Sequence, residues 1–255
     1  MHKGQNLKTA QSPDWPRIAP VGLDGLLVRF ADALTEPANR AALAFRAAVV
    51  GEGWSGVEET SSALASVYLR FDPLHLRHAD LTARLASLLG ARDWYDAPPP
   101  QGRRFWRIPT LYGTDAAPQL AEAAGLAGVD VKQAIADLSG ARTRVLTLGF
   151  APGQPYLGEL PPAWDIPRQA AITPQVPVGA LVVAVRQFVL FANASPTGWR
   201  HVGQTAFRCF LPEDADPFAL RAGDEVQFYA VSAAEYANIQ RDTTSNGGAE
   251  AVAIT

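Results

Sequence analysis

The chain has 255 residues, a formal net charge of −3, 48% hydrophobic residues and 18% charged residues. It is long enough for one large or two small globular domains, and its slight acidity gives no electrostatic basis for binding nucleic acid or an anionic membrane. The single cysteine, Cys209, excludes an intrachain disulfide and a zinc site built from several cysteines. No apolar run is long enough to cross a bilayer, and the first residues lack the apolar stretch of a signal peptide. We therefore expect a cytoplasmic protein.

The N-terminal part of the chain is predicted to be a small α/β domain over residues 17–92, preceded by a mobile, polar extension over residues 1–16. Apolar periodicity and alternation predict four elements in the order strand, helix, strand, helix, at residues 26–30, 39–50, 66–71 and 80–89. The last of these helices has Asp80 as its candidate N-cap and Gly90 as its end.

A proline-rich linker at residues 96–102 belongs to a second domain, predicted over residues 93–233. From Arg142 onward, short apolar runs broken by proline and glycine are typical of an all-β barrel. Residues 222–229 are predicted to turn into the final strand, and residues 234–255 to form a C-terminal tail. Strands are also predicted at 105–112, 144–148 and 182–191, and helices at 118–124 and 130–138, the second capped by Asp130.

The most distinctive segment of the chain is the loop predicted at residues 149–158. It contains three glycines, two prolines and two aromatic residues directly after a predicted strand. Because proline restricts φ and glycine permits positive φ, such a loop is able to hold one unusual shape, suited to lining a pocket. From composition alone, a rigid surface connection is the simpler interpretation.

A second glycine- and proline-containing segment, residues 193–205, follows the apolar run at 182–191 and the short element at 176–179. With matched spacing over residues 20–231, these segments resemble the GF-x-PGF-x-YL, VP-x-GS and SPGGW…G-x-T signature of the family called allophanate hydrolase subunit 1. That family includes the B-type subunit of bacterial 5-oxoprolinase and the kinase inhibitor Kip. The resemblance implies a mixed α+β fold, in which a small N-terminal α/β domain precedes a cyclophilin-like β-barrel domain.

The resemblance also implies a small-molecule pocket with aromatic walls. Stacking by aromatic side chains would hold a flat ring or amide, although isolated aromatics more often belong to a core. Asp115 is the candidate catalytic residue, since it follows a Tyr-Gly-Thr that matches a family element; alternatively it caps a helix beginning near Ala116. The candidate substrate-binding residues are Phe150, Pro152, Gly153, Tyr156, Gln187, Ser195 and Trp199.

Other catalytic patterns are not supported by spacing. His201 would need a partner to act as a general base, and no second histidine or carboxylate has a spacing from it that indicates one. His75 and His78 are three residues apart, but the sequence offers no further ligands for a metal site, so we predict no metal. No Ser/His/Asp order, Walker loop or Rossmann fingerprint is present.

Several residues depart from the family pattern at positions where it has polar or shape-determining residues. Losing a histidine and two basic residues removes proton transfer and bidentate anion binding. A threonine in place of a glycine would be strained if its φ is positive. The departures are Leu138, Gln154, Thr173, Gln175, Ala180 and Thr197, and they predict a divergent family member with an altered substrate.

Two functions follow from the resemblance. The first is a component of an ATP-dependent amidohydrolase similar to 5-oxoprolinase, acting on 5-oxoproline or a related small lactam or amide with a homologous C-type subunit and an A-type subunit. ATP would be bound by the assembled complex. The alternative is a non-catalytic, Kip-like module that inhibits a sensor histidine kinase. Prolyl isomerase activity is suggested only by the fold name, and a fold does not fix function.

Overall fold

The computed structural model describes residues 15–254, so the predicted N-terminal extension lies outside the described residues up to residue 14. The chain forms two compact units that divide between Pro98 and Pro99, within the proline-rich segment. The described residues contain a closed barrel, further small sheets and five α-helices, which confirms the predicted mixed α+β class.

The N-terminal unit is a four-stranded antiparallel sheet with two helices. The strand order is β1-β2-β4-β3, and its elements are β1 (Arg17–Val21), β2 (Gly25–Arg29), α1 (Glu36–Glu52), β3 (Val57–Ala63), β4 (Ser66–Phe71) and α2 (His78–Leu89). The predicted elements are present, but the sequence did not indicate β1 and β3. Both are edge strands with largely polar or exposed residues, so neither carries a clear alternation of buried side chains.

The helices of this unit begin and end at recognisable residues. The Thr35 hydroxyl accepts a hydrogen bond from the Ala38 amide at the start of α1, and Gly53 ends that helix in the left-handed region. Gly90 ends α2 as predicted, but Asp80 is not its N-cap. The helix begins earlier, after Arg77, and the Asp80 carboxylate pairs with the Arg77 guanidinium at 2.7 Å.

The C-terminal unit is built around a seven-stranded barrel. The strand order is β12-β9-β10-β7-β6-β13-β5. The barrel closes because one edge of β5 pairs with β12 and the other edge of β5 pairs in parallel with β13. The elements are β5 (Arg104–Tyr112), α3 (Leu120–Ala127), α4 (Val131–Gly140), β6 (Arg142–Leu148), β7 (Pro155–Gly158), β8 (Thr173–Val176), β9 (Ala180–Ala184), β10 (Gln187–Leu190), β11 (Ser195–Thr197), β12 (Arg200–Gln204), β13 (Glu225–Ala230), α5 (Ala233–Arg241) and β14 (Glu250–Ala253).

The barrel is filled by large apolar side chains, among them Ile108, Trp164, Phe188 and Phe228, and α4 contributes Leu138 to the same core. Burial of these side chains is the main source of stability for such a unit. Cys209 is also buried there, and burial raises the pKa of its thiol to about 12. The thiol therefore stays protonated at neutral pH, and Cys209 acts as a small core residue.

Two segments of the barrel unit differ from their predictions. The run predicted as one strand at residues 182–191 is a hairpin, because Val185 and Arg186 both have positive φ and reverse the chain between β9 and β10. Residues 234–255, predicted as a tail, contain most of α5 and all of β14. A Ser232–Glu235 capping box starts α5, and β14 adds to the edge of β5.

Candidate functional site

The family-like loops meet at a cavity of about 350 Å³ in the C-terminal unit. We call it the aromatic cavity. Its walls come from the loop after β6, from β7, from β10 and the residue after it, from the segment before β8, and from β11 and the residues after it. The lining residues are Phe150, Gln154, Tyr156, Arg168, Gln169, Ile172, Val189, Phe191, Pro196, Thr197, Gly198 and Trp199.

Two aromatic rings form the inner wall of this cavity. Tyr156 and Trp199 meet edge to face, with ring centroids 6.3 Å apart and planes at 79°. Tyr156 on β7 lies opposite Val189 on β10, so the sheet register fixes its position. Trp199 is only 7% exposed and packs in a small apolar cluster with Phe191. The wall is therefore rigid, and it presents apolar faces to any ligand.

The loop that enters the cavity has an unusual backbone. Phe150 has φ of 72°, in the left-handed region, and its side chain is 76% exposed. Gly153 has φ of 70°, and a β-carbon there would lie 2.6 Å from the Cys209 carbonyl oxygen. Turn hydrogen bonds join Gln154 to Ala151 and to Gly149. Only glycine fits at position 153, so this residue sets the loop's shape and Phe150 is left at the cavity mouth.

Gln154 places a carboxamide in these apolar surroundings. Its side chain is 1% exposed, and its Oε1 accepts a hydrogen bond of 3.3 Å from the Ala192 amide. Because the Ala192 group is a donor, it fixes which end of the carboxamide carries the oxygen. The Nε2 group has no acceptor among the described residues, so it remains free to donate a hydrogen bond.

The segment before β8 is held against the cavity by one glutamine. The Gln169 Nε2 donates to the Trp199 carbonyl at 2.9 Å, and its Oε1 accepts from the Gln119 Nε2 at 2.6 Å. The adjacent Arg168 is exposed, and its guanidinium lies 5.4 Å from the centroid of the Trp199 ring. No carboxylate of the described residues pairs with Arg168, so its charge is available to a ligand.

The structure brings together some of the predicted site residues and separates others. Phe150, Tyr156 and Trp199 all line the aromatic cavity. Pro152 and Gly153 lie in the loop after β6 and Ser195 begins β11, but none of the three lines the cavity. Gln187 begins β10 opposite Gly158, two residues before the part of the strand that reaches the cavity.

Asp115 is not among the residues that line the aromatic cavity, and it lies in an exposed turn. It also does not cap a helix, because α3 begins only at Leu120, after Gln119. The turn is closed instead by Thr114, whose hydroxyl accepts from the Ala116 amide. The capping prediction for Asp115 is therefore wrong, and its catalytic role stays a prediction without support from its position.

The residues that depart from the family pattern have different surroundings. Leu138 and Ala180 are fully buried in apolar clusters, whereas Gln175 is exposed. Thr173 accepts a hydrogen bond from Gln169. Thr197 is not among the positive-φ residues, and its hydroxyl oxygen accepts from the Trp199 amide at 3.0 Å. Thr197 therefore does not have the backbone strain that a positive φ would have caused.

His201 lies on β12 beside the cavity wall but does not line the aromatic cavity. It is 4% exposed, its Nε2 has no hydrogen-bond partner among the described residues, and burial lowers its pKa.

A second cavity, of about 610 Å³, is lined by residues that include Pro177, Gln204 and Tyr236. Among residues 15–254, no cluster of His, Cys, Asp or Glu could hold a metal, and no helix is long and apolar enough to span a membrane.

Sequence reasoning missed the cavity contacts of Arg168, Gln169 and Ile172; in this segment it considered only departures from the family's basic positions. Gln169 contacts Gln119 and Trp199, which are distant in sequence, and Arg168 lies over the Trp199 ring.

The loops and barrel that build this cavity are those of a known protein family. The family model described as "Carboxyltransferase domain, subdomain C and D" matches residues 16–220. The chain belongs to this family, and its curated relatives confirm the predicted kinship with the B-type subunit of 5-oxoprolinase.

Two relatives illustrate the match. The chain is 28% identical to the 5-oxoprolinase B-type subunit of Bacillus subtilis (strain 168) over 234 residues, which are 86% of this chain and 95% of that protein. It is 38% identical to the 5-oxoprolinase B-type subunit of Escherichia coli O157:H7 over 125 residues, which are 49% of this chain and 57% of that protein.

Solved structures share the fold. The crystal structure of TTHA0988 matches with a TM-score of 0.70 and 32% identity over 82% of this chain and 40% of that chain. The urea amidolyase of K. lactis matches with a TM-score of 0.72 over 94% of this chain and 16% of that chain. At 18% identity, the second likeness shows the fold alone. This chain thus spans less than half of either structure.

Proposed function

We propose that this chain is a B-type subunit of an ATP-dependent amidohydrolase that resembles 5-oxoprolinase, and that 5-oxoproline or a related small lactam or amide binds in the aromatic cavity. The observation that carries the proposal is the convergence of two family loops on one cavity with the Tyr156–Trp199 pair as its wall. The name of the Bacillus subtilis relative, matched over 95% of its length, supports the same function.

The chain's own contribution is to bind and orient the ring. A flat lactam or amide fits against aromatic faces, and Gln154 offers a donor to its carbonyl oxygen. When bound to the complex, ATP supplies the activation that a lactam carbonyl, a poor electrophile, needs for hydrolysis. A C-type and an A-type subunit would provide the remaining groups.

The residues of this chain do not fit a nucleotide phosphate site at the cavity. The glycine-containing loop at 149–154 is followed by β7, so it does not lead into the helix N-terminus that binds phosphate in the common nucleotide-binding loops. We therefore assign ATP to the partner subunits and derive no step through it in this chain.

The test is co-purification with the C-type subunit, followed by ATP hydrolysis with and without 5-oxoproline. We expect a stable complex whose ATP turnover rises with the lactam. A complex without stimulation would mean a different substrate. No complex would contradict the proposal and would favour the kinase-binding module, tested by inhibition of histidine kinase autophosphorylation.

Phe150→Ala is the preferred variant for this assay. Trp199 is 7% exposed and packed in a cluster, and replacing a buried tryptophan by alanine typically costs about 3–5 kcal/mol of stability. Phe150 is 76% exposed, so its removal tests the cavity mouth and leaves the core intact. Leu23, another strongly exposed apolar residue, lies in the N-terminal unit, and Leu23→Ala is the matched control.

A further inference from the structure

The side chains around the aromatic cavity present more free hydrogen-bond donors than acceptors. Arg168 has a guanidinium without a carboxylate partner among the described residues, and it lies over the Trp199 ring. Gln154 has a free Nε2 group. The Thr197 hydroxyl has no acceptor in the described part of the chain. All three residues line the cavity.

Three side-chain acceptor oxygens of the same cavity each accept one hydrogen bond from the chain already. The Gln154 Oε1 accepts from the Ala192 amide, and the Gln169 Oε1 accepts from the Gln119 side chain. The Thr197 oxygen accepts from the Trp199 amide. The Tyr156 hydroxyl, which both donates and accepts, is the exception. A ligand that supplies acceptors is therefore matched better than one that supplies donors.

The Gln154 carboxamide is a donor that faces the cavity among apolar side chains. Gln154 lines the cavity with Val189 and Phe191, and its Nε2 group has no acceptor among the described residues. Such an N–H group is able to donate to a ligand carbonyl. Arg168 adds a positive charge beside an aromatic face, an arrangement that suits a carboxylate.

We propose that the aromatic cavity selects flat organic anions: Arg168 binds a carboxylate, Gln154 binds a ring carbonyl, and the lactam N–H is not recognised. Arg168 and Gln154 are then the specificity-determining residues, and a lactone carboxylate is accepted as well as a lactam carboxylate. This inference extends the proposed function, and it rests on the proposal that the substrate binds in the aromatic cavity.

The test is a set of binding titrations on the full chain without partner subunits. The probes are 5-oxoproline, its lactone isostere 5-oxotetrahydrofuran-2-carboxylate, 2-pyrrolidinone, which lacks the carboxylate, and cyclopentanecarboxylate, which lacks the carbonyl. We expect the lactone to bind within about threefold of 5-oxoproline. Each of the other two should bind at least about tenfold more weakly, since each loses a charged or buried hydrogen bond.

Two variants assign these preferences to residues. Arg168→Gln should remove the preference for 5-oxoproline over 2-pyrrolidinone and keep the preference over cyclopentanecarboxylate. Gln154→Met should do the reverse, because it removes the donor at similar side-chain volume and adds no charge. Arg168 is exposed and makes no ion pair with the described residues, so Arg168→Gln is expected to fold normally. The ligand comparisons on the unchanged chain do not depend on the folding of Gln154→Met.

Three results would overturn the inference: no binding of 5-oxoproline to the chain, equal affinity for 2-pyrrolidinone, or a lactone at least tenfold weaker than the lactam. Its failure is separable from that of the proposed function. ATP turnover stimulated by 5-oxoproline without this ligand pattern would leave the proposed function standing and reject the inference. The same ligand pattern without stimulated ATP turnover would support the inference and would reject 5-oxoproline as the substrate that the complex turns over.

Discussion

Phe150 combines a costly backbone conformation with an exposed side chain. A residue with a β-carbon in the left-handed region is disfavoured by about 1–2 kcal/mol, and at 76% exposure the ring recovers little of this by burial. Strained, exposed aromatic residues at a cavity mouth are more consistent with ligand contact than with packing.

Phe150→Ala and Phe150→Gly separate the ring from the strain. Both variants remove the aromatic ring, so both should weaken ligand binding to the aromatic cavity equally. Only glycine relieves the positive φ, and Phe150→Gly should be the more stable of the two by up to about 1 kcal/mol in denaturant unfolding. If ligand affinity is unchanged in both, the ring does not belong to the site.

His201 predicts a pH dependence of stability. Burial lowers its pKa in the folded chain, so the unfolded chain binds more protons below the ordinary histidine pKa of about 6.5. Its contribution is fully present above that pKa and is lost as pH falls toward the lowered pKa. Unfolding midpoints measured between pH 5 and pH 7 should decline with acid, and His201→Gln should flatten the decline. An equal slope in both proteins would place the effect elsewhere.

At the scale of elements, the start of β13 is tied to β5 by one buried carboxylate. Asp224 is 1% exposed and accepts hydrogen bonds from the Arg104 amide, the Arg221 amide and the Trp106 indole. It also pairs with the Arg104 guanidinium at 2.7 Å. The pairing of β13 with β5 is part of the barrel's closure, so this carboxylate stabilises the scaffold that positions the cavity.

Asp224→Ala should therefore destabilise the chain strongly. Breaking a buried ion pair from one side typically costs about 3–5 kcal/mol, because the remaining partners are left unpaired. Asp224→Asn retains one acceptor and should cost less. Chemical denaturation of both variants is the measurement. A loss below about 1 kcal/mol in Asp224→Ala would show that solvent replaces these contacts.

Elements with a strong local signal could be predicted from the sequence, and elements defined by distant pairing could not. The helix α4, capped by Asp130, is an example of the first kind. The strand β14 has four exposed residues and exists because it pairs with the edge of β5. The hairpin turn at Val185 and Arg186 lacks the glycine or asparagine that normally marks positive φ.

The same distinction holds for the candidate site. Phe150, Tyr156 and Trp199 could be found because they lie in loops with a family signature. Arg168 and Gln169 reach the cavity through long-range contacts, and no local pattern marks them.

At the scale of the whole molecule, the strand order of the barrel brings together loops that are distant in sequence. The β12–β9, β9–β10 and β10–β7 pairings hold β12, which starts at Arg200, and β7, which carries Tyr156, in one sheet.

The most direct test of this account is ATP turnover by the co-purified complex, titrated with 5-oxoproline, for the unchanged chain and for Phe150→Ala. We expect stimulation by the lactam, with a higher half-saturating concentration in the variant and an unchanged basal rate. A complex that hydrolyses ATP without any response to 5-oxoproline would contradict 5-oxoproline as the substrate. An identical response in both proteins would contradict the assignment of the aromatic cavity as the substrate site.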